Sequence, residues 1–179
     1  DKIICVSRFT RAECIRRGIP HHRCTVIPNG VRPDELYLNR CKNDLKRKLA
    51  KVVGVSLQDK TVLVTVGRLV LRKGIVWFVE TVMPRLRESF YYLIAGEGPE
   101  YWRIQRLVEN KNLRDRVFLL GLVSEETKKM IYNAADIFVM PNLTVPNDIE
   151  GFGITAIEAG SCGLGGPGQT RLRPPRSGP

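Results

Sequence analysis

From Thr61 onward the chain alternates short apolar runs with amphipathic stretches. The runs VLVTV (62–66), YYLIA (91–95), VFLL (117–120) and IFVM (137–140) are bounded by glycine, proline or polar residues. This is the pattern of strands buried on both faces of a parallel sheet. Between them, residues 74–88, 99–110 and 124–133 carry helical spacing, with Pro99 suited to a first turn. Ser124 is placed to cap the last of these helices, and Glu125 and Glu126 stand at its positive end. Upstream, IICVS (3–7) predicts a strand. Ser7 then caps a helix that ends at Gly18 before Pro20, and CTVIPNGV predicts a strand stopped by Pro28 and an Asn29–Gly30 turn. Residues 31–43 read as a connector and NDLKRKLAKVVG as a short basic helix. Repeated strand and helix alternation implies right-handed crossovers. The predicted fold is therefore α/β, a Rossmann-like parallel sheet with flanking helices.

In such sheets ligands lie beyond the C-terminal ends of the strands. The segments to inspect are GRLVLRKG, GEGPE, GLVS and PNLTVPNDIEGFG, each of which follows one predicted strand. In the first, Gly67 permits a sharp turn, and Arg68 and Lys73 place two cations where a diphosphate would sit, with Arg72 a third candidate. Exposed loop charge is the plainer alternative. In EGFGITAIE, Gly151 and Gly153 allow close backbone approach, and the following helix offers free amides to an anion or a hydroxyl-rich group. Glu150 and Glu158 are poor phosphate ligands and good acceptors for sugar hydroxyls or a ribose. An acid and base pair of a glycoside hydrolase is the other chemical option. GEGPE and GLVS read mainly as turns, although the backbone of the latter can face a base.

Composition narrows the setting. The net charge of +11 is unevenly spread: residues 1–60 carry eight excess cations, residues 61–164 are balanced, and residues 165–179 carry three. The excess lies around RAECIRRGIPHHRC and KNDLKRKLAK, which are either solvated faces or contacts for an anionic membrane surface. No aromatic-rich basic strand accompanies it, so nucleic acid is not an expected partner. Five scattered cysteines without paired spacing read as reduced packing thiols. No apolar run is long enough to cross a bilayer, and the first residues lack a signal-peptide pattern. The expected localisation is cytoplasmic, or peripheral at the inner face of a membrane.

Taken together and in order, VIPNGV, GRLVLRKG, LIAGEGPE, VFLLGLV, ADIFVMPN and EGFGITAIEAGSCG resemble the C-terminal domain of retaining GT-B glycosyltransferases of family four. The resemblance covers residues 1 to about 164. It implies transfer of a hexose from a nucleotide-diphosphate sugar to a lipid-linked or glycan acceptor, with no metal and no cofactor beyond the donor itself. Arg68 and Lys73 match the pair that neutralises the donor diphosphate. Glu150 matches the glutamate that holds the transferred sugar, assisted by Gly151, Phe152 and Gly153, and Glu158 matches the ribose ligand. Gly67 belongs to the donor loop, and Gly121, Leu122 and Val123 lie where family members meet the base. On this reading the catalytic residues are Arg68, Lys73 and Glu150.

The resemblance also implies a division of the chain. Residues 1–28 are the end of an acceptor domain, 29–60 a linker and basic helix, and 61–164 a truncated donor-binding domain. In residues 165–179, glycine, proline and arginine supply 11 of the 15 positions, so a disordered tail is expected, the mark of a frameshift or a misassembled gene. A non-catalytic nucleotide-binding module and a sugar hydrolase using Glu150 and Glu158 are the competing functions.

Overall fold

In the computed structural model, residues 1–146, 148 and 150–165 are described. The chain opens with β1 (Ile3–Cys5), α1 (Arg8–Arg16) and β2 (Cys24–Val26), and the two strands form a parallel pair. Ser7 caps α1 as expected, and Thr10 closes a reciprocal capping box with it. A short helix, α2 (Pro33–Leu36), and the basic helix α3 (Lys42–Val53) follow, the latter ended by Gly54 in a left-handed conformation.

The main sheet contains β3 (Thr61–Val66), β4 (Phe90–Ala95), β5 (Val117–Gly121) and β6 (Ile137–Phe138), all parallel, in the order β5-β4-β3-β6. Their register runs Thr61↔Phe90 to Val66↔Ala95 between the central strands, and Leu63↔Ile137 at β6. Gly165 makes an isolated parallel bridge to Ile137, on the flank of β6 away from β3. β6 is shorter than its apolar run suggests, yet the ladder continues: Val139 N–H donates to Val64 O, and Thr65 Oγ1 donates to Val139 O.

Helices cover both faces. On one, α3 and α6 (Glu125–Ala134) pack with Val62, Val64, Leu93 and Phe138. On the other, α4 (Ile75–Trp77) and α5 (Tyr101–Asn110) pack with Leu63, Tyr92 and Ile94. The single helix expected over 74–88 is instead α4 followed by a π turn (Phe78–Val82) and a 3-10 turn (Met83–Arg85). Pro84 explains the break, because it has no amide to donate and its ring crowds the preceding turn. Arg116 closes the interrupted end by donating to the carbonyls of Met83, Leu86 and Arg87.

The last described helix is α7 (Ile154–Ser161), which starts at Gly153. The expected tail falls on residues 165–179, of which all but Gly165 lie outside the described residues. Among the described residues no helix is long and apolar enough to cross a membrane.

Candidate donor site

Three loops are joined by backbone at the C-terminal ends of β3, β4 and β5. Gly67 N–H donates to Ala95 O, Leu69 N–H to Glu97 O, Gly96 N–H to Gly121 O, and Glu100 N–H to Leu69 O. The approach is so close that a Cβ on Gly96 would lie 1.9 Å from Gly67 O. The glycines of GEGPE thus have a packing role, as their turn reading implies. Their effect is to fix the loop that carries the cations.

That loop passes through a 3-10 turn at Leu71–Lys73 and reverses at Gly74, where φ is +64°. The turn sends the Lys73 side chain inward, where it is 8% exposed and its ammonium pairs with Oε2 of Glu150. Arg72 reaches the same carboxylate: Nη1 donates to Oε2 of Glu150, and Nε donates to Oδ1 of Asp148 at 2.8 Å. Asn142 Nδ2 also points at that oxygen, at 3.5 Å. Burial alone would raise the Glu150 pKa, but the bonds and charges of Lys73 and Arg72 outweigh it and hold the carboxyl below its ordinary range. A group kept ionised in this way suits an acceptor of hydroxyl protons and is a poor general acid. This weighs against the hydrolase option.

Gly151, Phe152 and Gly153 follow Glu150 directly. Gly151 faces Thr10 and Val6 of the N-terminal unit at 3.5 and 3.7 Å from an ideal Cβ, so α1 and the residue that follows β1 wall this side of the loop. Gly153 has φ +73°, and a Cβ there would meet Met140 Cε at 2.9 Å. α7 begins four residues after Glu150, and among the described residues no side chain caps its first amides.

Glu158 lies one turn before the end of α7 and is held from α6. Tyr132 donates its hydroxyl to Oε2 at 2.8 Å, and Lys128 Nζ lies 3.4 Å from Oε1. Desolvation, and then the bond to Glu158, push the Tyr132 pKa far up, so the phenol stays a donor at any ordinary pH.

The structure thus brings Lys73 and Glu150 into contact. Arg68 stands apart, exposed just beyond Gly67, with no ion pair among the described residues. Gly121, at φ +62°, turns the chain after β5; Leu122 is 75% exposed there, and Val123 is half-buried. Sequence reasoning missed Tyr132, Lys128, Asn142 and Asp148, and placed Arg72 third among the cations. Helical spacing offered one signal: Lys128 and Tyr132 are one turn apart and share a face of α6.

Comparison with known proteins identifies the family and the fold. The family described as Glycosyl transferases group 1 matches residues 47–165, and Glycosyltransferase Family 4 matches residues 1–35. The chain belongs to the group 1 glycosyl transferases. It is 31% identical over 168 residues to the phosphatidylinositol N-acetylglucosaminyltransferase GPI3 subunit of Saccharomyces cerevisiae, covering 92% of this chain and 34% of that protein. It is also 31% identical to a GDP-mannose-dependent alpha-(1-6)-phosphatidylinositol monomannoside mannosyltransferase of Mycolicibacterium smegmatis, covering 92% of this chain and 43% of that one. Among solved structures, Anabaena HepE in complex with UDP-glucose superposes with a TM-score of 0.78 at 19% identity, over 92% of this chain and 43% of that one. The chain spans about a third of the length of the first curated relatives it matches.

Proposed function

We propose that this chain carries the donor-binding part of a retaining hexosyltransferase that moves a sugar from a nucleoside diphosphate to a lipid-linked or glycan acceptor. The observation that carries the reading is the contact of Lys73 with Glu150 at the mouth of a parallel sheet, four residues before the start of α7. It sets a cation for a diphosphate directly against a carboxylate for sugar hydroxyls. The donor lies with its diphosphate toward Lys73 and Arg68, its sugar on Glu150 and the Gly151–Gly153 backbone, its ribose on Glu158, and its base along Gly121, Leu122 and Val123.

The chemistry follows from where charge develops. As the glycosidic bond breaks, negative charge grows on the departing diphosphate, and Lys73 and Arg68 stabilise it more in the transition state than before it. These two cations fill the role that a metal ion fills elsewhere, so we assign no metal or cofactor to the step. The acceptor hydroxyl enters on the leaving-group face, which retains configuration. Relatives named for phosphatidylinositol and its mannosides support a glycolipid acceptor. The exposed Arg47, Lys48 and Lys51 on α3 form the face we assign to an anionic, cytoplasmic-side membrane surface. Because the chain matches a third of its first relatives' length, donor binding without turnover is expected of it alone.

Thermal unfolding with millimolar UDP, GDP, ADP and their hexose conjugates tests the proposal. One nucleotide family should raise the midpoint, by about 2.7 kcal/mol of stabilisation at a hundredfold excess over Kd, and the shift should persist in EDTA. A cooperative transition that no nucleotide moves would refute the donor site.

A further inference from the structure

Arg72 lies beside Lys73 in sequence, and the structure gives the two cations different attachments. Among the described residues Lys73 has one ionic partner, Glu150. Arg72 has two, because its guanidinium bridges Asp148 and Glu150. Its main chain is tied to the same loop: Arg72 O accepts from Leu143 N–H at 2.8 Å, and Gly74 packs so closely on Pro141 that a Cβ would lie 2.1 Å from Pro141 O. The segment after β3 thus grips the loop between β6 and α7 at Pro141, Leu143, Asp148 and Glu150.

The donors converge unevenly on Glu150. Arg72, Lys73 and Asn142 all address Oε2, and among the described residues no hydrogen bond reaches Oε1. When a diphosphate draws Lys73 away, Glu150 keeps a charge partner only if Arg72 stays. The anchor at Asp148 keeps Arg72 in place, because a guanidinium can serve two carboxylates at once while an ammonium is a single point of charge.

We propose that Arg72 is a positioning residue rather than a phosphate ligand: it holds the Glu150 carboxylate, with Oε1 presented to the sugar, while Lys73 exchanges from Glu150 to the donor diphosphate. This inference rests on the donor-site reading above.

The test uses titration calorimetry on the 179-residue chain and its Arg72→Met, Arg72→Lys and Lys73→Met variants. The probes are GDP with GDP-mannose and UDP with UDP-N-acetylglucosamine. For the pair that the parent chain binds, Arg72→Met should weaken the nucleotide sugar about tenfold more than the nucleoside diphosphate, a gap that loss of one charge-assisted bond accounts for. Lys73→Met should weaken both alike, and Arg72→Lys should fall between Arg72→Met and the parent. If Arg72→Met does not fold, Arg72→Lys carries the comparison. Equal weakening of both ligands by the Arg72 variants, or an unchanged ratio, overturns the positioning role and leaves the donor site standing. No binding of either pair, nor of ADP with ADP-glucose, by the parent chain overturns the donor site, and the Arg72 assignment falls with it.

Discussion

Tyr132 on α6 donates its hydroxyl to Oε2 of Glu158 on α7 at 2.8 Å, although its ring is completely buried in the core. The pair couples the packing of two helices to the orientation of one carboxylate. Tyr132→Phe keeps the ring and removes only that bond. We expect a stability loss of about 1 kcal/mol, read by urea unfolding. We also expect a threefold to tenfold loss of affinity, on the order of one net hydrogen bond, for whichever of UDP and GDP the chain binds. The affinity loss should disappear with the matching 2′,3′-dideoxynucleotide, because Glu158 is assigned to the ribose hydroxyls. An equal loss with both forms would remove Glu158 from the ribose.

Gly74 is a second point where local geometry governs the site. Its φ of +64° and its contact with Pro141 O leave no room for a side chain. Gly74→Ala should lower stability by about 2 kcal/mol or more through left-handed strain and the clash together. Nucleotide affinity should fall as well, because Lys73 is the preceding residue. Gly163 has a similar φ of +78° but nothing within 4 Å of its ideal Cβ, so Gly163→Ala should cost about 1 kcal/mol and leave affinity unchanged. Comparable losses in the two variants would show that the Pro141 contact is unimportant.

The contrast between these residues shows what was legible beforehand. Four apolar runs placed the strands, because a parallel strand buried on both faces has few other readings. Ser7 and Ser124 marked helix starts, because a cap bonds only to amides two or three residues on. The π turn at Phe78–Val82 was not legible, since apolar spacing there fits an unbroken helix and Pro84 acts on the turn behind it. At the site, Lys73 and Glu150 announced themselves through adjoining glycines. The contacts of Arg72 with Asp148 and of Tyr132 with Glu158 join residues 76 and 26 positions apart, and only the folded sheet brings them together.

Asp136 offers a test of how the basic helix is fastened to the sheet. Its carboxylate accepts from Val62 N–H and from Lys46 at 2.8 Å each, and pairs with Lys42 at 2.7 Å. Lys46 is nearly buried, and its ammonium also donates to Lys60 O. Asp136→Asn leaves that charge without its counterion. It should destabilise the fold by roughly 2 to 3 kcal/mol, measured by denaturant unfolding. Lys46→Met with Asp136→Asn should recover part of the loss, since removing both charges ends the imbalance. A double variant no more stable than Asp136→Asn would show that α3 is held by packing alone.

Asp136 and Glu150 contribute to the acid side of the stability profile, beside Glu13, whose carboxyl is lowered to about 2 by hydrogen bonds from Arg16 and Arg17. Burial raises the pKa of Asp136, but bonds from Lys42, Lys46 and the Val62 amide bring it below the ordinary aspartate value; Lys73 and Arg72 do the same for Glu150. A lowered folded-state pKa means that, as pH falls, the unfolded chain takes up protons first. The contribution of each group is therefore complete above the ordinary carboxylate pKa and is lost as pH drops from about 5 toward the lowered values. Urea midpoints should hold steady from about pH 7 to 5 and then decline. Glu150→Gln and Asp136→Asn should each flatten that decline by removing one proton-uptake step. A decline of unchanged slope in both variants would place the acid sensitivity elsewhere and dissociate it from the donor site.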